Sequence, residues 1–330
     1  MREGGLLGWC TSALVKLDDE VPGVLSRVLT SSPMRRQAIF SALAVREEKA
    51  DLLVVSDALI PTSFAEVVRH GRAADILRFA CRDVPEGFPG LLERVGEVPL
   101  PRARDYIALH DLAASADRRG IDALRDSGRV TCRKLDVLAH LDPRWRHAHT
   151  IGRIDTGAEA MTFNSAVGFV QSVNSRATDE ALAGAIAIMR PTSSLPKLLD
   201  RFLRRADRLP SHPVPNDDNE LRPLATMRDV LEGGRRYRNC LAHRLADVAA
   251  GKMAVAEFRS DCLVEFRALT GGLGWMLRDV HVARNAPVPL ALIAEVEAKC
   301  DALGIPRIND TGGGDGWRGY RRFTQELEWS

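Results

Sequence analysis

The sequence of 330 residues lacks the short motifs that mark the common enzyme classes. It contains no Walker loop, no Rossmann glycine fingerprint, no Gly-x-Ser-x-Gly elbow and no set of protein-kinase motifs. The glycine-rich run GGGDG at Gly312 to Gly316 is followed by no lysine and is typical of a flexible linker. Catalysis therefore has no strong signature in this chain, and no cofactor is expected.

Paired cysteines and long apolar runs are also missing. None of the six cysteines falls in a Cys-x-x-Cys pair, so neither a zinc ribbon nor a thioredoxin motif is expected. Their wide spacing favours reduced, packed thiols in a cytoplasmic protein. Acidic residues soon interrupt the apolar N-terminal stretch, and no later run is long enough to cross a bilayer. We therefore expect no signal peptide and no membrane partner.

Lysine is scarce, whereas arginine is abundant. Only six of the 46 basic residues are lysines, which leaves 46 − 6 = 40 arginines. The 44 acidic residues nearly balance them, and the net charge is only +2. Arginine forks suit phosphate, but a GC-rich genome also produces many arginines. Composition alone therefore does not indicate a nucleic-acid partner, and clustered charge has to be sought instead.

Hydrophobic periodicity predicts a mainly α protein, with a helical region at 1–208, a linker or long loop at 209–223 and an α+β module at 224–330. Apolar residues at helical spacing predict helices in several N-terminal segments. These segments are Phe64 to Arg69, Ala73 to Cys81, Tyr106 to Ala116, Ile121 to Leu124 and Leu135 to Leu141. A short strand is predicted at Asp51 to Ser56. Four prolines and a run of Asn and Asp favour turns at 209–223.

The C-terminal module carries a different pattern. A helical stretch from Leu224 to Ala250 is expected to be interrupted at Gly233 and Gly234. Three short runs with β-branched and aromatic residues then predict a small antiparallel sheet. The predicted strands are Met253 to Phe258, Cys262 to Leu269 and Gly274 to Val282. A final helix is predicted at Leu290 to Leu303, with Pro289 near its start and Gly304 at its end.

The most distinctive segment is GGRRYRNCLAHRL, residues 233–245. Arg235, Arg236, Arg238 and Arg244 occur in it with no acidic residue between them. From residue 201 to residue 244 there are ten arginines against six acidic residues, a local excess of +4. Such a patch attracts phosphate and would make binding salt-dependent. The alternative interpretation is a solvated helix face.

Within this segment the residues from Arg238 to His243 spell R-N-x-x-x-H, which resembles the signature of HEPN-type ribonucleases. The resemblance implies one catalytic site built from two such helices across a homodimer. His243 would then move a proton and Arg238 would hold the scissile phosphate, with Asn239 beside them and no metal. That family is all-helical, whereas strands are predicted shortly after His243.

A second resemblance covers more of the chain, from about residue 224 to residue 305. This part of the chain contains the pair Asn239–Cys240, then Gly251, then the predicted strands, and then Asn285 after the third strand. This arrangement is similar to the PcfJ-like family of mobile-element and plasmid proteins. The expected Gln-x-x-Gly or Tyr near the third strand is absent. The resemblance implies a helical N-terminal half and nucleic acid as a plausible partner, but no established reaction. Asn239, Cys240 and Asn285 are then structural residues or a site, and a Cys240–His243 nucleophile pair at i,i+3 is one alternative.

Two further segments are candidate sites. The C-terminal tail interleaves aromatic with basic residues, which suits base stacking and phosphate contact, although the tail could instead dock on the body of the protein. Its nucleic-acid-binding candidates are Trp317, Arg318, Tyr320, Arg321 and Arg322. The other segment has His140, His147 and His149 near Asp136 and Asp142. A proline and a basic setting there favour a plain loop over a metal site, so no metal site is expected.

The leading hypothesis from the sequence is a nucleic-acid-associated accessory protein of a mobile element or conflict system. One alternative is a HEPN-like, metal-independent endoribonuclease that uses Arg238 and His243. Another is a protein–protein adaptor that docks through its helical N-terminal half. The expected partner is accordingly RNA, DNA or a protein, and a homodimer is compatible with the ribonuclease alternative.

Overall fold

The computed structural model describes residues 7–48, 63–81 and 83–307. The chain forms two compact units, and the second contains the segment 209–223. The first unit comprises Met1–Gly168 with Asp179–Leu198, and the second comprises Phe169–Thr178 with Leu199–Ser330. The predicted fold class is confirmed, because the protein is mainly α and its C-terminal module carries one small antiparallel sheet.

The first unit is built from helices. In chain order the helices up to residue 203 are α1 (Thr11–Glu20), α2 (Val24–Leu29), α3 (Pro33–Glu48), α4 (Phe64–His70), α5 (Ala73–Ala80), α6 (Phe88–Glu93), α7 (Ala103–Ala114), α8 (Arg118–Asp126), α9 (Cys132–His140), α10 (Ala148–Ile151), α11 (Gly157–Val173), α12 (Asp179–Ala187) and α13 (Leu195–Leu203). The last residues of α11 and α13 belong to the second unit. Within the described ranges, no helix has the length and apolar character that a membrane crossing requires.

The helices predicted from periodicity are confirmed, and side-chain caps explain where several of them begin. Ser63 accepts a hydrogen bond from the backbone of Glu66 at the start of α4, at 3.2 Å. Asp117 caps α8 and Thr131 caps α9 in the same way. Each cap pairs one of the amide groups that a helix start leaves without an intrahelical partner. The strand predicted at Asp51 to Ser56 lies outside the described residues.

The second unit places a four-stranded sheet among short helices. After α13 its elements are β1 (Leu221–Pro223), α14 (Met227–Tyr237), a 3-10 helix (Cys240–His243), α15 (Leu245–Ala249), β2 (Met253–Phe258), β3 (Cys262–Ala268), a 3-10 turn (Thr270–Gly272), β4 (Trp275–His281), a 3-10 turn (Ala283–Asn285) and α16 (Leu290–Ala302). The strand order is β1-β2-β3-β4, and every neighbouring pair is antiparallel.

The three predicted strands are thus confirmed, whereas β1 was missed. The strand β1 is only three residues long and lies in the proline-rich segment that predicts turns, but Leu221 pairs with Phe258 and Pro223 with Ala256. Because Pro223 has no amide hydrogen to donate, it fits an edge strand. Strand pairing with β2, which local sequence does not encode, decides the structure of this segment.

The sheet is buried on both faces at β2 and the first half of β3. On one face Met253, Val255 and Leu263 pack with α14, α15 and the 3-10 helix. On the other face Phe258 and Phe266 pack in a cluster that also includes residues of α16. Two-sided burial explains why β2 and the first half of β3 are almost continuously apolar and do not alternate with polar residues.

The predicted interruption at Gly233 and Gly234 is wrong, because α14 continues through both glycines to Tyr237. Their role is close packing. A Cβ atom on Gly233 would lie 2.9 Å from the Cδ1 atom of Leu224, and one on Gly234 would lie 3.4 Å from the Cβ atom of Leu241. Small residues on this face of α14 therefore let the neighbouring segments approach the helix.

One glutamate in β2 faces the helices with its carboxylate buried. Arg222 donates to Oε2 of Glu257 at 2.6 Å, Tyr237 donates to Oε1 at 3.0 Å, and Arg236 donates to the same Oε1. Burial alone would raise the pKa of Glu257, but the hydrogen bonds from Arg222, Tyr237 and Arg236 outweigh it and lower the pKa. The carboxylate therefore connects β1, β2 and the end of α14.

We predict that Glu257→Gln destabilises the protein by roughly 2–3 kcal/mol at pH 7. This is less than the ~3–5 kcal/mol for breaking a fully buried ion pair, because both arginines are half exposed. The pKa of Glu257 is lowered in the folded state, so its stabilisation is present above about pH 4.3 and is lost as the pH falls. Urea unfolding at pH 7 and pH 3.5 measures both effects.

The matched control is Glu232→Gln, which removes a carboxylate that pairs with the exposed Arg228 at the surface. It should change the free energy of unfolding little at either pH, because exposed ion pairs contribute little. Equal losses for the two variants would contradict the role assigned to Glu257.

Candidate functional site

The segment from Arg238 to His243 is not one helix, which corrects the expectation that Arg238 and His243 share a helix, whereas Cys240 and His243 do lie in one short 3-10 helix. Arg238 adopts a left-handed conformation with φ of 49° and ends α14. Asn239 then begins the 3-10 helix, and its side-chain oxygen accepts a hydrogen bond from the amide of Leu241 at 3.1 Å. His243 is the last residue of that short helix. Arg238 and His243 thus lie on different local segments.

The four arginines of this segment have different surroundings. Arg236 is engaged by Glu257, and the Nε atom of Arg244 lies 2.7 Å from Asp247. Arg235 and Arg238 are exposed, and neither forms an ion pair within the described part of the chain. The basic segment therefore presents two free guanidinium groups, whereas the other two partly serve the fold.

Beside Asn239 the helix side of the sheet contains a pocket open to solvent, which we call the Glu265 pocket. Its cavity measures about 80 Å³, several times the ~10–15 Å³ that one water molecule needs. The apolar part of its lining consists of Leu241, Met253, Val255 and Leu263. The polar part consists of Asn239, Cys240, Arg244, Glu265, His281 and Asn285.

The carboxylate of Glu265 is buried in this pocket among three cationic groups. His281 donates from Nε2 to Oε2 at 3.3 Å, and the nearest nitrogen atoms of Arg278 and Arg244 lie 3.3 Å and 4.0 Å from Oε1. Burial alone would raise the pKa of Glu265, but the His281 hydrogen bond and the charges of Arg278, Arg244 and His281 outweigh it and lower the pKa. Glu265 is therefore held as a carboxylate.

The two oxygens of Glu265 are not equally satisfied. Oε2 takes the hydrogen bond from His281, whereas Oε1 accepts none among the described residues, although Arg278 is near it. A buried oxygen without a hydrogen bond costs free energy. In Glu257, by contrast, both oxygens accept hydrogen bonds. Glu265 thus keeps an unused acceptor inside an open pocket.

A second Arg–Asn pair lies at the pocket. Arg284 and Asn285 both adopt left-handed backbone conformations, with φ of 60° and 51°. Asn285 lines the pocket, as Asn239 does, and each is preceded by an exposed arginine at positive φ. Arg284, like Arg238, has no ion pair within the described ranges. Two chain segments thus present the same Arg–Asn dipeptide at one pocket.

Several sequence candidates come together here, and others do not. Asn239, Cys240 and Asn285, which carry the resemblance to the PcfJ-like family, all line the pocket. His243 is exposed and is not among the lining residues. The histidine in the pocket is His281, which the sequence reasoning missed together with Glu265. A single glutamate within an otherwise apolar strand was the signal that could have pointed to Glu265.

The remaining candidates form no site that the structure describes. The tail residues Trp317, Arg318, Tyr320, Arg321 and Arg322 lie outside the described residues. His147 and His149 meet edge to face, and His149 hydrogen-bonds to the backbone of Ile186. No group of three or more metal-ligating side chains occurs in the ranges that the structure describes.

Comparison with known proteins adds no further identification. The chain matches no protein-family model, no curated protein and no solved structure.

We predict that the pKa of His281 lies above the usual value of about 6.5 and falls in Glu265→Gln. The hydrogen bond to Glu265 is the main cause of the raised pKa, and burial opposes it. Because the folded-state pKa is raised, protonated His281 stabilises the fold below about pH 6.5, and this stabilisation is lost as the pH rises through the raised value. NMR titration of the imidazole resonances measures the shift.

The matched control for this titration is Glu257→Gln. It removes a second buried carboxylate from the same face of the sheet, but one that does not contact His281. The pKa of His281 should stay raised in this variant. An unchanged pKa in Glu265→Gln would contradict the pairing.

Proposed function

We propose that the protein is a nucleic-acid-binding accessory protein whose second unit contacts phosphates through Arg235, Arg238 and Arg284. The observation that carries the proposal is the pair Arg238 and Arg284. Both are exposed, both lack an acidic partner in the described chain, and both precede an asparagine of one pocket.

Phosphate is the partner that such arginines fit. A guanidinium group forms two parallel hydrogen bonds with phosphate and keeps its charge at every physiological pH. Some other arginines of the second unit, such as Arg259, are neutralised by neighbouring carboxylates, whereas the exposed Arg267 also forms no ion pair in the described chain. Free arginines on separate segments around one pocket suit a chain of phosphates better than a single small anion.

The setting of this activity also belongs to the proposal. The resemblance to the PcfJ-like family supports an accessory role in a mobile element or a conflict system. The cysteines within the second unit are free thiols, which agrees with a cytoplasmic location. No reaction is included, because Arg238 and His243 lie on different segments and the ribonuclease hypothesis gains no support from this geometry.

We predict that replacing Arg238 and Arg284 by glycine weakens binding to RNA and DNA about equally across sequences. Each lost phosphate contact should lower the slope of log K against log salt concentration by about 0.7–0.9. Glycine is chosen because it adopts positive φ readily, so the fold is not strained by the change. Fluorescence anisotropy with labelled single-stranded and double-stranded oligonucleotides between 50 and 200 mM salt (roughly the range over which such contacts are sensitive) measures affinity and slope.

The matched control is Arg228→Ala, which removes an exposed arginine of α14 that pairs with Glu232. It should leave the affinity nearly unchanged. If the wild type binds no oligonucleotide at low salt, or if Arg238→Gly with Arg284→Gly leaves the slope unchanged, the proposal is wrong.

A further inference from the structure

The Oε1 atom of Glu265 can accept a hydrogen bond that the described chain does not supply, although a nitrogen of Arg278 lies 3.3 Å away. Glu265 is only 6% exposed, it lines the pocket, and its Oε1 accepts no hydrogen bond among the described residues. A ligand that brings an N–H group to this oxygen would form a charge-assisted hydrogen bond, which is stronger than a neutral one. The first requirement on the ligand is therefore a donor that reaches into the pocket.

Charge excludes the simplest donors. Arg244, Arg278 and His281 surround the carboxylate, so a cationic amine or guanidinium would be repelled by two arginines and, when it is protonated, by His281. An anion placed directly on Glu265 would be repelled by the carboxylate. The group that enters the pocket is therefore neutral and carries N–H donors.

The walls and mouth of the pocket define the rest of the ligand. Leu241 and Met253 offer apolar surface to a flat ring, and the amides of Asn239 and Asn285 offer further polar contacts. Outside, Arg238 and Arg284 stand next to those asparagines and suit phosphate. A nucleotide meets these requirements, because it joins a neutral ring with N–H donors to a phosphate group.

We propose that the Glu265 pocket receives the edge of an unpaired guanine from a single-stranded nucleic acid. This inference rests on the proposed function and gives it a base preference. Guanine presents two adjacent donors, N1–H and the N2 amino group, beside the O6 acceptor. The lone pairs of the Glu265 Oε1 atom can accept from these donors, and an asparagine amide can donate to O6. Uracil, with one N–H between two carbonyl groups, matches the site least.

The test compares two single-stranded oligonucleotides of the same length, one all uridine and one with a single central guanosine. The full-length protein should bind the guanosine oligonucleotide about tenfold more tightly, as one specific base contact typically provides. Glu265→Gln should reduce this ratio to less than about twofold, with the affinity of each protein for the uridine oligonucleotide as its own reference. Glu257→Gln, the matched control on the same face of the sheet, should keep the tenfold ratio.

A second measurement does not depend on a variant. Cys240 lines the pocket and is exposed, whereas Cys10, Cys81, Cys262 and Cys300 are buried. The rate at which iodoacetamide alkylates Cys240, followed by peptide mass spectrometry, should fall when the guanosine oligonucleotide is bound. It should fall less with the uridine oligonucleotide at equal occupancy. The partly exposed Cys132 of the first unit serves as the internal reference.

The outcomes separate the two proposals. Equal affinity for both oligonucleotides, with Cys240 equally reactive in both complexes, overturns the pocket proposal but leaves phosphate binding by the arginines in place. A tenfold ratio that survives Glu265→Gln also overturns it, because the preference then arises elsewhere. If neither oligonucleotide binds, the proposed function and the base preference are both wrong.

Discussion

The second unit depends on a sheet that is covered on both faces and nevertheless contains two glutamates. A carboxylate in such a layer is stable only when cationic and hydrogen-bonding groups reach it. Glu257 meets this need with groups from β1 and the end of α14, and Glu265 with groups from β4 and the segment before α15. The position of these segments on the sheet is therefore set by charge as well as by apolar contact.

The two glutamates satisfy this constraint to different degrees. Glu257 uses both oxygens, which accept hydrogen bonds from Arg222, Tyr237 and Arg236. Glu265 uses one oxygen for a hydrogen bond, and its other oxygen is buried although the residue lines an open pocket. Glu257 and Glu265 lie on the same face of the antiparallel sheet, and both have arginine partners. The fold therefore does not require that one of them keeps an oxygen without a hydrogen bond. Buried acceptors normally have a hydrogen-bond partner, and a bound ligand that donates a hydrogen bond would supply the partner that Oε1 of Glu265 lacks.

Local signals in the sequence were sufficient for most of the fold. Periodicity and turn residues predicted the N-terminal helices and the strands β2, β3 and β4, because each is specified by its own residues. They failed for β1, whose structure comes from pairing with β2, and at Gly233 and Gly234, whose purpose is contact with Leu224 and Leu241. Both errors occur where distant residues decide local conformation.

The candidate site was predictable only in part, for the same reason. Asn239, Cys240 and Asn285 were singled out together, and the structure places all three at one pocket. Glu265 and His281 are far apart in the sequence, and the antiparallel register of β3 and β4 brings them together. In this register Leu263 lies opposite His281, and Glu265 follows Leu263 by two residues on the same face of β3. A sequence motif contains residues that are close together in the chain, so it cannot contain two residues that only strand pairing brings together.

The backbone at the mouth of the pocket supports a role beyond folding. Arg238 and Arg284 occupy left-handed conformations that glycine would adopt at less cost, since the conformation costs an ordinary residue of order 1 kcal/mol. Neither arginine gains an ion pair in the described chain that would offset this cost. This cost is understandable under the proposal that the two guanidinium groups, which are next in sequence to Asn239 and Asn285, bind an anion.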